Sequence, residues 1–240
     1  MQQLTLPINS EEFHIRRSQR AKRLRVSINL LGQIEVVAPK NVYVRDIDQF
    51  IQNHREWIKH KKHQIDSMRS IELNTSMPSV VSLPAIKEQW HVTYTDGHSK
   101  LTTGNEYVTK TNTLHLSIKH ESQTSGLLKN WLNKKAKSAL LPWLGQVSEE
   151  TGLKYSQATI RGQKTRWASC SADKNISLNR CMLFLQPDQV RYLMVHELCH
   201  TLEMNHSSRF WKLVSRYVPD YQYQEGRVNE CCYRLPRWVF

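Results

Sequence analysis

The chain has 240 residues, of which 39% are hydrophobic, and its 34 basic and 21 acidic residues give a formal net charge of +13. That composition excludes a fibrous or largely disordered protein, and no apolar run reaches the length needed to cross a bilayer. The N-terminus lacks an apolar signal segment and the five cysteines lack zinc-ribbon spacing, so we expect a cytoplasmic protein with reduced thiols and no membrane partner.

The first part of the chain predicts a small antiparallel β-rich region with helices. Apolar and polar residues alternate over residues 13–39 around a break at Gly32, which predicts a basic β-hairpin. Residues 44–65 carry apolar side chains at helical spacing and a basic end, which predicts a helix. Residues 66–84 lose that periodicity, so we expect a linker or long loop. We therefore predict a domain boundary after residue 84.

The second region, residues 85–240, begins with strands and a long helix. Short apolar alternations over residues 85–118 are separated by turn signals at Asp96 and Gly97 and at Gly104 and Asn105, which predicts several antiparallel strands. Residues 127–152 have the pattern of an amphipathic helix, interrupted or kinked at Pro142. Three short strand-like pieces follow, TIRG, TRWASC and ISLN, before a largely apolar helix. The order of elements predicts an α+β fold.

The stretch HELCHTLEMNH, residues 196–206, carries the strongest chemical signal of the chain. Residues four apart lie on one face of a helix, so His196 and His200 can direct imidazole nitrogens at one ion. Glu197 lies about 100° further around the axis, where a general base for a metal-activated water belongs. The competing interpretation is a chance match. The apolar residues before the motif argue against it, because an unpaired imidazole on a buried helix carries a desolvation cost.

A third ligand is required, because catalytic zinc usually takes three protein ligands and leaves one position open. Glu203 lies on the same helical face as the first two histidines, but its short reach suits a contact around the site better than ligation. His206 reaches the ion only if the helix ends near Glu203 and the chain turns back. Asn205 tolerates the positive φ of such a turn, and Ser207 and Ser208 offer an N-cap for the next helix. The alternative for His206 is an exposed loop histidine.

Several stretches of the chain together resemble a known family. TRWASCS, ISLNRCMLFLQPDQVRYLMVHELCH and MNHSSRFW are similar to the YgjP-like metallopeptidase domain, a bacterial zincin-type family related in its core to SprT-like proteases. The resemblance implies a minimal zincin-like core with an HExxH helix, in which His196, His200 and His206 bind Zn²⁺ and Glu197 is the catalytic acid–base residue. It also implies that the two regions of the chain form one continuous unit. One departure is Ala168, where the family commonly carries Gly, and the effect of the added methyl group is left open.

The leading hypothesis is a zinc-dependent hydrolase of peptide bonds, with Glu197 as the general base. An extended peptide or protein substrate would pair with an edge strand near residues 167–169, because strand addition binds a peptide through its backbone. Trp167 and Ser169, with the neighbouring Arg166, are the candidate substrate-binding residues. The alternative for Trp167 is a core aromatic.

Two other functions use the same residues differently. A metal-dependent hydrolase of nucleoside triphosphates or other phosphoanhydrides would hold phosphates with Arg161, Lys164 and Arg166, although the chain has no P-loop glycines. A non-enzymatic protein would combine structural zinc with nucleic acid bound at the basic hairpin. Glu197 argues against that, since a structural site usually has four protein ligands. The net charge supports a nucleic-acid or nucleotide partner only weakly, and the sequence leaves the oligomeric state open.

Overall fold

The computed structural model describes residues 3–8, 11–19, 21–28, 34–68, 77–98, 100–106, 111–231 and 234–239. These residues contain three sheets and six α-helices, which confirms the predicted α+β class. The chain forms two compact units, residues 1–70 with 232–234 and residues 71–231 with 235–240. The domain boundary after residue 84 stays a prediction. Within the described ranges, no helix is long and apolar enough to span a bilayer.

The N-terminal unit is a four-stranded sheet covered by two helices. Its strands β1 (Gln3–Ile8), β2 (Glu11–Ser18), β3 (Arg25–Ile28) and β4 (Ile34–Pro39) have the order β1-β2-β4-β3. β3 and β4 pair antiparallel, as the predicted hairpin requires, although its turn lies outside the described residues. β2 and β4 pair parallel. Alternate strand residues pack with one helical face to form the core: Phe13, Ile15, Ile34, Val36, Ala38, Ile47, Ile51 and Ile58.

The helix predicted over residues 44–65 is two helices, α1 (Val44–Asn53) and α2 (Arg55–Met68). In a continuous helix the backbone N–H of His54 would donate to the carbonyl of Phe50. Here the His54 ring donates Nδ1–H to that carbonyl at 2.8 Å, and the backbone N–H goes to Ile51 instead, at 3.1 Å. The side chain therefore replaces one bond of the helical ladder, and the helix breaks at His54.

The C-terminal unit begins with a second four-stranded sheet. β5 (Val80–Leu83), β6 (Glu88–Asp96), β7 (Lys100–Glu106) and β8 (Thr111–Ile118) have the order β5-β6-β8-β7. β5 lies within the predicted linker, where two buried residues were too short a pattern to reveal a strand. β6 and β8 pair parallel, so the prediction of antiparallel strands was wrong for this pair. The turn predicted at Gly104 and Asn105 was also wrong, because both residues lie inside β7.

A long helix and a three-stranded sheet follow. α3 (Ser122–Thr151) continues through Pro142 and ends at Gly152, which has the left-handed φ of 72° that glycine adopts easily. β9 (Gln157–Arg161), β10 (Ala168–Cys170) and β11 (Asn175–Asn179) correspond to the three predicted strand-like pieces. Their order is β10-β11-β9, so β10 is an edge strand. α3 packs against β9 at the opposite edge.

Three helices complete the C-terminal unit. α4 (Pro187–Cys199) begins with a proline in its first turn and a capping box between Gln186 and Gln189, and it packs against β10. α5 (Ser208–Tyr217) and α6 (Tyr221–Cys231) both pack on α4. An ion pair between Arg227 and Asp188 joins α6 to the start of α4. The fold thus places one face of α4 beside the edge strand β10.

Candidate metal centre

The three histidines of HELCHTLEMNH come together at the C-terminal end of α4. One ligand nitrogen from each of His196, His200 and His206 lies within 4.8 Å of the other two. Nε2 of His206 and Nε2 of His196 are 3.0 Å apart. His200 donates its Nδ1–H to the backbone carbonyl of Glu203 at 3.0 Å, which leaves a lone pair on its Nε2. The side chain of Glu203 is not part of the cluster, and this residue contributes through its backbone.

The chain reverses direction earlier than the sequence predicted. α4 ends at Cys199 rather than near Glu203. The Cys199 carbonyl accepts the N–H groups of Leu202 and Glu203 at 3.1 and 3.0 Å, which closes a turn directly after the helix. The positive φ predicted for Asn205 was wrong, since the non-glycine residues with positive φ in the described chain are Lys87 and Lys174. Because the helix ends at Cys199, the chain turns through ordinary backbone hydrogen bonds, and Asn205 does not need a positive φ.

The next helix begins at the predicted N-cap and packs against the cluster. Ser207 caps α5 by accepting the Phe210 N–H at 3.4 Å. The Phe210 ring is fully buried and stacks on His200 at a centroid distance of 4.4 Å. Trp211 stacks on His206 at 5.6 Å. These ring contacts restrict the orientations of two of the three imidazoles.

The two buried imidazoles, those of His196 and His200, have the protonation state that metal binding requires. Burial, followed by the charges of the other two histidines, lowers the pKa of His196 to about 3. Burial is the main cause of the lowered pKa of His200. Its hydrogen bond to Glu203 acts in the opposite direction, and the charge of His206 lowers the pKa further. A neutral imidazole keeps the lone pair that a metal needs. The buried part of the cluster is therefore neutral near pH 7.

The spacing of the His196 and His206 rings fits a single ion. Two ligand nitrogens on a tetrahedral metal with bonds of about 2.0–2.1 Å lie about 3.3 Å apart. The Nε2 atoms of His196 and His206, at 3.0 Å, are already close to that spacing. Without an ion, two lone-pair nitrogens at this distance would repel unless one carried a proton. The donor set thus suits a cation with three nitrogen ligands, and the family expectation of a divalent metal is compatible with the residues present.

Glu197 is buried beside the cluster but is not one of its ligating groups. The residue is 6% exposed, and within the described part of the chain its Oε2 has no hydrogen-bond partner. Burial raises the pKa of Glu197 to about 7, while the charge of Arg166 and a backbone hydrogen bond from Cys170 act in the opposite direction. The carboxyl group therefore titrates close to neutrality and has one oxygen available.

Edge strand β10 lies next to Glu197 and carries the predicted substrate-binding segment. The Trp167 carbonyl accepts the Asn179 N–H at 2.8 Å, and the Ser171 N–H donates to Asn175 at 2.9 Å, so both groups face β11. Because backbone groups alternate along a strand, those of Ala168 and Cys170 point away from β11, and the Cys170 bond to Glu197 agrees with this. The outward edge of β10, with which no described strand pairs, thus lies beside the carboxylate.

The predicted substrate-binding side chains have different environments. Arg166 is exposed, and its charge acts on Glu197. Ser169 is half-buried on β10. Trp167 is only 7% exposed, which places it in the core, as the alternative interpretation had it. The methyl group of Ala168 is also buried, with 7% of the residue exposed. Arg166 is therefore the most accessible of the predicted substrate-binding residues.

Asn179, which no motif in the sequence singled out, holds the segment that bears Arg166. Its side chain is fully buried, and its Nδ2 donates to the carbonyls of Gln163 and Arg166 at 2.7 and 2.8 Å. Its Oδ1 accepts the Cys181 N–H at 3.0 Å and caps a 3₁₀ turn. An asparagine at the end of a strand indicates a cap in the sequence. Its two hydrogen bonds to the carbonyls of the loop join residues distant in the chain, and no local pattern indicates them.

A model of the YgjP-like metallopeptidase domain matches residues 22–230, which is most of the chain. Among solved structures, the metallopeptidase zymogen of Pyrococcus abyssi abylysin is similar to part of it, with 25% sequence identity and a TM-score of 0.37. That match covers 40% of this chain and 97% of the Pyrococcus abyssi chain. A comparison with curated proteins found no match.

Proposed function

The chain belongs to the YgjP-like metallopeptidase family, a family of metal-dependent peptidases, and on that premise we propose that it is a zinc-dependent peptidase. The proposed zinc ligands are His196, His200 and His206. The observation that supports this most strongly is the convergence of three imidazole nitrogens beside a buried carboxylate, Glu197, that is not itself among the ligating groups. A structural zinc site would use a fourth protein ligand instead.

Zinc is the preferred metal because of the donor set. Imidazole nitrogens suit zinc, whereas calcium and magnesium take oxygen ligands. Three ligands leave the fourth position of a tetrahedron open. When bound, zinc supplies Lewis acidity that lowers the pKa of a water molecule and polarises the scissile carbonyl.

Glu197 is the proposed general base and general acid. Its Oε2, which has no hydrogen-bond partner among the described residues, takes a proton from the attacking water and later delivers it to the leaving amine. The Cys170 N–H bonds the carboxylate and so holds it in position. A pKa raised to about 7 by burial suits a group that must accept and release a proton near neutral pH.

The proposed substrate is a peptide or protein segment in extended conformation. It would pair with the outward backbone groups of Ala168 on β10, so that its scissile bond lies near Glu197. Arg166 is exposed beside this edge and attracts acidic groups of the substrate. Ser169 lies on the same strand, and Trp167 supports the strand from the core rather than contacting the substrate.

Substitution of Glu197 by Gln tests this proposal, because the amide keeps the shape of the side chain but cannot accept the proton. We expect Glu197→Gln to bind zinc like the wild type and to cleave casein about 10²–10⁴-fold more slowly. Glu203→Gln is the matched control, since it makes the same chemical change on a side chain outside the cluster, and it should keep full activity.

Zinc-loaded wild-type protein should cleave casein and release no phosphate from ATP. Removal of zinc with a chelator should abolish cleavage, and added zinc should restore it. Wild-type turnover by Glu197→Gln would refute the role of Glu197. A protein that takes up no zinc in excess would refute the metal centre, and phosphate release without peptide cleavage would favour phosphoanhydride chemistry.

A further inference from the structure

A pocket of about 430 Å³ lies between β9 and α3 in the C-terminal unit. Three cationic side chains line it: Lys137 of α3, Arg161 at the end of β9 and Arg180 of the 3₁₀ turn (Arg180–Phe184) that follows β11. None of the described residues that line the pocket is acidic, and none belongs to the histidine cluster. Its volume lies within the range of small-molecule sites. The pocket is thus a concave, positively charged site apart from the metal centre.

Arg180 is held in a fixed position at this pocket. Its Nη1 donates to Asn133 Oδ1 at 3.3 Å and its Nη2 to the Val239 carbonyl at 2.8 Å. A methyl group added at Gly162 would lie only 2.4 Å from Nη1, so the glycine allows the guanidinium to lie against the backbone. The Nε is buried and has no partner among the described atoms. A guanidinium fixed in this way loses little rotamer entropy when it binds an anion.

The charge of Arg180 also acts on neighbouring cations. Burial is the main cause of the lowered pKa of Lys129, and the positive charges of Arg180 and Lys164 lower it further. The neighbourhood therefore concentrates positive charge from α3, from the segment after β9 and from the 3₁₀ turn after β11. A ligand with more than one negative charge would relieve that repulsion, whereas a single carboxylate would do so only in part.

We propose that this pocket binds a phosphate-bearing anion. Lys137, Arg161 and Arg180 contact the phosphate oxygens, and the guanidinium groups match phosphate geometry through paired N–H donors. Leu141 and Ile160 form an apolar wall against which the rest of the ligand packs. Binding at this site does not require the metal centre and is independent of the proposed peptidase activity. The phosphate belongs either to a free nucleotide or to a single-stranded nucleic acid, and the two sources are separable by experiment.

Two probes, ATP and a short fluorescein-labelled oligothymidylate, test this proposal on the full-length, zinc-loaded protein. Lys137 and Arg161 are exposed, so the Lys137→Glu, Arg161→Glu double variant should fold normally. We expect it to bind at least one probe about tenfold or more weakly than the wild type. Lys100→Glu with Lys154→Glu is the matched control, because it makes the same charge change at exposed positions that do not line the pocket, and its affinity should stay within about twofold.

Gly162→Ala provides a variant without a change in net charge. Its methyl group displaces the Arg180 guanidinium, so the affinity should also fall. An effect on ATP alone identifies a free nucleotide as the source, and an effect on the oligothymidylate identifies a nucleic-acid strand. Equal losses in the pocket variant and the control variant would overturn the proposal, because they would show general charge attraction. Unchanged affinity in the pocket variant, or no binding of either probe to the wild type, would overturn it as well.

Discussion

Replacement of His206 by alanine should weaken zinc binding far more than replacement of Glu203. His206 places Nε2 3.0 Å from the corresponding nitrogen of His196, so its loss leaves two of the three proposed ligands. Loss of a group that only supports a ligand typically costs 10–100-fold in affinity, so loss of a ligand should cost at least about 100-fold, or about 2.7 kcal/mol. Glu203 touches His200 through its backbone carbonyl, which Glu203→Ala retains, so that variant should lose less than about threefold.

Zinc affinity is measured for both variants by competition with a chromogenic chelator. His206 is exposed, so the metal-free variants should unfold in urea within about 1 kcal/mol of the wild type, which separates a ligand effect from a folding defect. A small loss for His206→Ala together with a large loss for Glu203→Ala would refute the three-histidine centre. The metal would then have to be held by the Glu203 side chain.

Three further changes test the local structure around the site. Asn179→Ala removes three hydrogen bonds from a fully buried side chain and should lower the free energy of unfolding, measured by urea titration, by about 2–4 kcal/mol. An unchanged stability would show that this residue does not hold the loop. Ser207→Ala removes the cap of α5 and should lower the free energy of unfolding by about 1 kcal/mol in the same measurement. Ser208 lies inside the helix, so Ser208→Ala should cost clearly less, and equal effects would show that Ser207 is not the cap. Thiol titration of the denatured protein should count all five cysteines, because the four described ones are free, and a count well below five would contradict reduced thiols.

Local patterns in the sequence predicted the elements that depend on near neighbours. The alternation in β3 and β4 and the apolar residues of α4 are examples, because burial on one side leaves its period in the chain. The HExxH spacing likewise predicted that His196 and His200 share a helical face, and the structure shows their nitrogens close together.

Features set by distant contacts were harder to predict. The parallel pairing of β6 with β8 depends on which edge β7 occupies, and no local pattern records that choice. The break at His54 depends on one side chain competing for a carbonyl, which helical spacing alone does not show. The chain reverses after Cys199 through two hydrogen bonds to the Cys199 carbonyl, not through a positive φ at Asn205. The sequence therefore predicted correctly that His206 lies beside the other two histidines, but it predicted the wrong kind of turn.

The short length of β10 also limits the pairing of two copies of the protein along this edge. An open sheet edge is a template on which a second copy can pair, and long flat edges lead to aggregation. β10 has three residues, and one of its outward N–H groups, that of Cys170, already bonds Glu197. The remaining outward groups are the N–H and carbonyl of Ala168 and the carbonyl of Cys170. At about 1 kcal/mol for each hydrogen bond, they do not offset the roughly 4–15 kcal/mol that association costs in translational and rotational freedom. This edge therefore stays open without joining two copies of the chain.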